Sequence, residues 1–405
     1  MRKINVPLSE NALSVVTPTL IFLVTFIVYY FSTEGRPTHF NNFVRLADAF
    51  IHGRLHLTQN IPWLELAIVD GKYYIVPPPM PAILILPFVA VFGLNTNQTL
   101  ASLFLGSLNA TLVFLIVRSL TQNRSVQLWS TAMFVFGTIH WWIATSGAVW
   151  MFSHVTALTF LLLAIYSVLK NKSPFLTGIF LGASYWSRLP TILSFPFFIA
   201  MYYDRWIPRS REGSWTKIFK IRPILYLCLG AGIFVFLNFL YNYLRFGTVT
   251  DISYYLIPGI LEEPWYQKGI FDITYIPRHL REIFFGLPKI KSEFPYIHPS
   301  ISGLAIWITT PAFIYAFFAD TRNRLAIGCW LSIILIALVE FTHGTWGFAQ
   351  FGYRFAADFY PFLLLLTVKG IGDEVKWHHK LLISIGIIVN LWGILWVHKF
   401  GWVEM

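Results

Sequence analysis

"DGKYYIVPPPMPAILILPFVAVFG", residues 70–93, sets a charged, aromatic approach against three consecutive prolines at 77–79, and an apolar run follows. That run is too short for an ordinary membrane helix, which needs about 20 apolar residues to cross roughly 30 Å of hydrocarbon. The prolines lack N–H donors and bias the residues before them toward extended backbone, so they stop any upstream helix. Whether residues 80–93 cross the membrane decides the side on which every later loop falls.

The whole chain explains why a membrane is in question. Its 405 residues are 56% hydrophobic, 18% aromatic and only 12% charged, too little polar surface for a soluble globule, where about a quarter of residues are charged. Cys228 and Cys329 both lie in apolar runs and read as buried packing thiols, with no disulfide framework. The net charge of +11 points in a soluble domain to nucleic acid, but cytoplasmic loops rich in Lys and Arg give a membrane protein the same total.

Eleven apolar segments are candidate spans, at 13–31, 99–118, 127–147, 149–169, 174–187, 190–204, 222–242, 302–319, 324–342, 357–369 and 380–398. The first follows "MRKIN" with no small-residue cleavage site, as in an uncleaved anchor whose amino terminus is cytoplasmic; a removed signal peptide is the alternative. If 80–93 crossed, the basic loops "RSLTQNR", "KNKS" and "RWIPRSREGSWTKIFKIR" would face outward, against the positive-inside rule. If it lies in the interface or dips in and returns, 17 of the 30 cations fall in short cytoplasmic loops. The expectation is therefore an all-α polytopic protein, residues 1–405 forming a single membrane domain. A first external loop spans 32–98, with an amphipathic helix and the proline-rich hairpin, and a second large one spans 243–301. No low-complexity tract or fixed-period repeat divides the chain.

"HFNNFVRLADAFIHGRLHL" in the first loop places Phe40, Phe43, Leu46, Ala47 and Phe50 on one helical face and Arg45, Asp48 and His52 on the other, a pattern that suits a helix lying in the membrane plane. Three external arginines, Arg188, Arg245 and Arg354, stand at helix ends, where snorkelling is the plain reading. Arg188 asks for more, because with Pro190 it separates two short apolar helices. A cation near membrane depth costs roughly 2.5–3.5 kcal/mol unless it is paired or wet. Arg354 and Asp358 are one helical turn apart, so either they pair locally or Arg354 reaches a phosphate.

Metal chemistry has no motif here: HExxH, a CxxC pair and DxD are absent, so no cofactor is expected, although a divalent ion stays open. No phosphate-binding glycine loop is present either. Tryptophans at span ends, such as Trp141, Trp142 and Trp150, fit an interfacial belt, and aromatic faces also suit sugar rings.

Taken together, the amphipathic helix ending in "AFIHGR", followed by "YYIVPPPMPA" and a short apolar helix ending in "FG", resembles the GT-C glycosyltransferases, in particular the branch of the protein O-mannosyltransferases and the lipid A aminoarabinose transferase. The resemblance covers about the first 200 residues by pattern and the rest by topology. It implies a GT-C-like fold and transfer of a sugar from a polyprenyl-phosphate-linked donor to a glycan, lipid or protein acceptor at the external face of the plasma (inner) membrane, with no nucleic acid involved. It also implies that residues 70–93 shape the floor of an external cavity, with Lys72, Tyr73 and Tyr74 at its rim, and that Arg188, Arg354 and Arg245 hold the lipid phosphate.

The family carries an acidic residue early in the first loop as general base. Counting back from Gly53, it falls near Thr38 and His39, where this chain has no acid. The carboxylate is then displaced to Asp48, Glu34 or Asp70, or the chain is inactive. Asp48 is preferred, on the polar helix face; Glu34 can meet Arg36, and Asp70 precedes Gly71 in a turn that favours local hydrogen bonds. The competing reading is a transporter or lipid flippase, which calls for inverted repeats and broken helices; 174–187 and 190–204 have the look of a broken pair, but no repeat accompanies them.

Overall fold

A computed structural model describes residues 10–203 and 221–401. The basic stretch from Arg205 to Lys220, together with Arg2 and Lys3, lies outside the described residues. Among those described, five helices are long and apolar enough to cross a membrane: α1 (Glu10–Thr33) in its Val15–Thr33 part, α4 (Gln98–Leu120), α7 (Val149–Leu169), α10 (Arg222–Phe246) and α15 (Trp377–His398). They fall on five of the eleven expected spans, and the chain is a multi-pass membrane protein.

The other six expected spans are short or interrupted. Residues 127–147 divide at Gly137 into α5 (Arg124–Phe136) and α6 (His140–Ser146). Residues 174–204 become α8 (Pro174–Tyr185), a 3-10 segment over Leu189–Ser194 and α9 (Phe195–Met201), broken around Arg188 and Pro190. Pro311 and Pro361 likewise open new segments, the 3-10 turn Pro311–Phe318 and α14 (Tyr360–Ile371). Proline cannot donate to the preceding turn, so each of these positions restarts the backbone. Helix α13 (Arg324–Glu340) has 17 residues.

The fold is not wholly helical. Leu66–Val69 (β1) and Lys72–Ile75 (β2) pair antiparallel, Leu66 opposite Ile75 and Val69 opposite Lys72. Asp70 and Gly71 make the two-residue turn between them with φ of 49° and 71°, the left-handed conformation that an Asp-Gly hairpin turn requires. Two further short strands pair Lys289–Ile290 with Ile297–His298. After β2 the prolines lead into α3 (Met80–Phe92), whose first N–H donates to the Trp186 carbonyl at 3.2 Å. The far end of α3 is bare and apolar, with Val91 74% and Phe92 60% exposed, as suits a helix dipping into lipid. Helix α2 (Asn42–Ile51) packs along α3, and its Phe43, Val44, Leu46 and Ala47 are fully buried in protein.

Contacts between loops sort the chain into two ends. At one, Asn97 donates to the Gly35 carbonyl at 2.8 Å, and Lys399 bonds Glu34. The segment from 35 to 97 therefore leaves and returns to one end, and α1 and α15 finish together there. At the other, Asn123 donates to the Asp373 carbonyl at 2.9 Å and Tyr202 to the Lys172 carbonyl at 3.1 Å. Cys329 is buried, whereas Cys228 sits on the outward face of α10, where an apolar thiol meets lipid as readily as it meets a core.

Candidate functional site

The prolines of the opening stretch line a cavity of about 440 Å³ at the end of the bundle that holds residues 35 and 97. Val76, Pro77 and Pro78 form one wall. The break at Arg188–Pro190 forms another, and the segments around Tyr254, Glu340, His343 and Arg354 complete it. The lining is mainly apolar, with a few charged groups among it, the usual composition of a site for a largely apolar ligand.

Arg188 is the hub of a charge cluster in that wall. Its Nη2 donates to Glu340 Oε1 at 2.8 Å and its Nε to Asp358 Oδ2 at 3.0 Å, while His154 Nδ1 meets Asp358 Oδ1 at 2.7 Å. Glu340 closes α13, His154 belongs to α7, and Asp358 sits in the 3-10 turn Arg354–Phe359. Burial works against the charge on Arg188, but Asp358 and Glu340 outweigh it and hold the guanidinium protonated above its ordinary range. The anion that the sequence requires beside Arg188 is thus supplied from within the chain. The local alternative for Arg354 and Asp358 is not the one adopted, because the 3-10 turn swings Asp358 toward Arg188 and His154.

Arg354 is left for something else. It is buried, its Nη1 donates to the Phe348 carbonyl at 3.1 Å, and its Nε has no partner. Among the described residues no carboxylate lies within ion-pairing distance of it. The guanidinium stands 5.9 Å from the Trp150 ring centre and 5.3 Å from that of Phe355. Burial, the largest influence, lowers its proton affinity, so a nearby anion is favoured twice over, by charge and by relief of an unmet donor.

Glu65 lies close by, just before β1. It is accessible yet ringed by protein, with the Trp150 side chain near it. Burial raises its pKa, opposed by the Arg354 charge and the Trp150 indole. His343 also faces the cavity, with Nδ1 held 2.9 Å from the Thr345 carbonyl. Burial lowers its pKa to about 4, so it is neutral near pH 7 with its proton on Nδ1.

Of the residues nominated from sequence, Arg188 and Arg354 line this one cavity. Arg245 is turned away: it donates to the Ile75 carbonyl at 3.0 Å and to Asn242 Oδ1 at 2.8 Å, stacked on Tyr241 and Phe246. It steadies the end of β2 just before the prolines. Lys72, Tyr73 and Tyr74 lie in β2, Tyr74 against Phe246 and His56, and none of the three is in the lining.

The nominated acids are likewise outside the lining. Asp48 Oδ1 sits 3.7 Å from His52 Nδ1. Glu34 takes hydrogen bonds from Lys399 and Arg36, which hold its carboxyl below the ordinary range. Asp70 is in the hairpin turn. Sequence reasoning passed over Glu340, His154 and Glu65. For the first two a signal existed, since an ionisable residue inside an apolar span is costly and implies a partner. No metal-binding group of His, Cys, Asp or Glu forms among the described residues.

No family model matches the chain, and no curated protein matches it in sequence. Its fold does match solved structures. The crystal structure of ArnT from Cupriavidus metallidurans bound to undecaprenyl phosphate superposes with a TM-score of 0.52 at 13% identity, covering 91% of this chain and 63% of that one. The apo oligosaccharyltransferase of Archaeoglobus fulgidus gives 0.47 at 13% identity over 95% of this chain and 56% of that chain. The archaeal oligosaccharyltransferase AglB from Archaeoglobus fulgidus, in complex with an inhibitory peptide and a dolichol-phosphate, gives 0.46 at 12% identity, covering 93% and 55%. The chain has a GT-C-like fold and spans somewhat under two thirds of the ArnT chain's length.

Proposed function

We propose that the chain transfers a sugar from a polyprenyl-phosphate-linked donor to an acceptor at the external face of the plasma (inner) membrane. The observation that carries this reading is Arg354: a buried guanidinium with an unmet donor, in no ion pair among the described residues, opening on an apolar cavity. A lipid phosphate satisfies the cation while its prenyl chain follows the apolar walls. Transfer leaves negative charge on the departing phosphate, and a fixed donor at that point is worth about 10²-fold or more in rate. Arg188, already balanced by Glu340 and Asp358, braces the wall against which Arg354 acts.

An acceptor hydroxyl needs a proton acceptor, and general-base help is worth roughly 10²–10⁴-fold. For that role we look to an acid beside the cavity in preference to Asp48, Glu34 or Asp70. The proposed topology has eleven spans, the amino terminus in the cytoplasm and residues 80–93 not crossing. The meetings of Gly35 with Asn97 and of Glu34 with Lys399 favour it.

The test uses the full chain in lipid nanodiscs. Undecaprenyl phosphate is expected to bind wild type and to lose at least tenfold in affinity with Arg354→Ala, and mass spectrometry is expected to find free carrier when undecaprenyl-phosphate-linked sugars are supplied with acceptor mixtures. Equal lipid binding by wild type and Arg354→Ala defeats the phosphate assignment. Lipid binding with sugar never released from any donor hands the site to the transport reading.

A further inference from the structure

Beside the cavity runs a second, shallower depression of about 270 Å³, walled by Asn60, Pro62, Trp63, Glu65, Ile257 and Pro258. We infer that this groove is the acceptor site, that its ligand is a carbohydrate, and that Glu65, which lines the groove one residue before the hairpin that leads to Val76 of the cavity, takes the proton of the acceptor hydroxyl. The inference rests on reading the cavity as the donor site.

The backbone puts Glu65 between the two spaces. Leu66 pairs with Ile75, so continuing the antiparallel register by one residue sets Glu65 opposite Val76, which lines the cavity. Trp150, whose indole lies near enough to Glu65 to influence its carboxyl, lines the cavity too, while Glu65 itself lines the groove. A hydroxyl held in the groove and a sugar carbon held in the cavity can therefore meet at this carboxylate.

Other acids near the cavity are committed. Glu340 is bound to Arg188. Asp251 Oδ1 accepts from the Ser253 N–H at 3.0 Å and its hydroxyl at 2.6 Å, and Glu263 accepts from the Trp265 indole at 2.5 Å. Burial shifts the Glu65 pKa upward, which makes it a stronger proton acceptor than a solvated carboxylate.

The groove chemistry is that of sugar recognition. Trp63 is 54% exposed, yet its indole N–H donates to the His39 carbonyl at 3.3 Å, so a fixed aromatic face is open where a lone surface tryptophan gains nothing from water. Such a face suits the C–H face of a pyranose ring. Asn60 is exposed and makes no side-chain hydrogen bond among the described residues, and its amide offers two donors and an acceptor to hydroxyls. Pro62 and Pro258 add rigid apolar edges without N–H groups of their own. The step balances: the acceptor O–H gives its proton to Glu65, its oxygen bonds the sugar C1, and the C1–O(phosphate) bond breaks with its electron pair remaining on the polyprenyl phosphate. Glu65 then returns the proton to solvent.

Saturation-transfer NMR on the nanodisc-held full chain, probed with a panel of methyl pyranosides, tests the groove. Ring C–H signals are expected with wild type, several-fold weaker with Trp63→Ala, retained with Trp63→Phe and unchanged with Arg354→Ala. Undecaprenyl phosphate binding is expected to show the opposite dependence, surviving Trp63→Ala and falling with Arg354→Ala. If no pyranoside shows more transfer to wild type than to Trp63→Ala, the carbohydrate site is refuted; if the lipid alone fails to bind, the donor reading falls and the groove is judged on the sugar signals. For the base, Glu65→Gln is expected to keep both binding signals and to slow release of undecaprenyl phosphate about 10²-fold or more, and wild-type release by Glu65→Gln overturns the assignment.

Discussion

Gly178 on α8 and Gly230 on α10 pack backbone against backbone: a Cβ on Gly178 would lie 2.2 Å from the Leu227 carbonyl oxygen and 3.1 Å from the Gly230 Cα. A Cβ on Gly230 would lie 2.3 Å from the Phe175 carbonyl oxygen. Small residues allow this approach where lipid gives helices no hydrophobic drive to associate. Backbone atoms cannot step aside, so Gly178→Ala must push the helices apart. We expect it to cost about 1–3 kcal/mol in thermal unfolding of the detergent-solubilised protein. Gly232→Ala, on the same α10 but with nothing within 4 Å, is the control and should be neutral or slightly stabilising.

Asp358 serves two partners and Glu340 one. Removing one member of a buried pair strands the other, at about 3–5 kcal/mol. Asp358→Asn is expected to reach that range and to exceed Glu340→Gln, since it disturbs the partner of both Arg188 and His154, whereas Glu340→Gln leaves both of those bonds to Asp358 in place. Equal melting temperatures for the two variants contradict the connectivity drawn here.

His279, in the short helix Ile276–Phe285 of the second large loop, and His343, in the loop after α13, are both buried, and burial lowers each to about 4, below the roughly 6.5 of an unfolded histidine. Between those values the unfolded chain binds more protons, so stability is full above about pH 6.5 and is lost as the pH falls toward 4. Each contributes on the order of 3 kcal/mol over that window. Melting curves from pH 7 to pH 5 should fall steeply for wild type and less so for His343→Gln.

Arg354→Lys retains the charge but loses the planar fork that grips a phosphate with two bonds. We expect undecaprenyl phosphate affinity to fall about tenfold, with protein stability little changed, in a nanodisc titration. An unchanged affinity means that the phosphate is held elsewhere.

Asn95 follows α3 and Arg124 opens α5, and both are exposed. In right-side-out membranes Asn95→Cys is expected to react with an impermeant thiol reagent from outside and Arg124→Cys only after permeabilisation, each in a Cys228→Ala background because that thiol faces outward. The reverse pattern places residues 80–93 across the membrane.

Much of the fold lies open in the sequence because lipid enforces it: a run of about 20 apolar residues is read by its length alone, and the break at Arg188–Pro190 by its proline and charge. The hairpin at 66–75 was legible in "IVDGKYYIV", an Asp-Gly between strand-like flanks, but the following prolines drew attention to where a helix could not start. Site chemistry was less visible. The spacing of Arg354 and Asp358 suits a helical ion pair, but the segment between Gly352 and Pro361 winds as a 3-10 helix and sends the carboxylate elsewhere. Glu65 sits in a loop without periodicity, and only the register of the hairpin places it beside the cavity.

The cluster around Arg188 also sets a timetable. Ribosomes add roughly 5–20 residues each second, and Asp358 follows Arg188 by 170 positions, Glu340 by 152. The guanidinium therefore waits about 8–30 s at the membrane before a carboxylate of its own chain exists to receive it. Until then water and lipid headgroups must hold the charge, keeping α8 and α9 near the surface. The wall of the cavity is finished only well into the last third of the chain, so a nascent protein released before Glu340 has four of the five long apolar helices but no site.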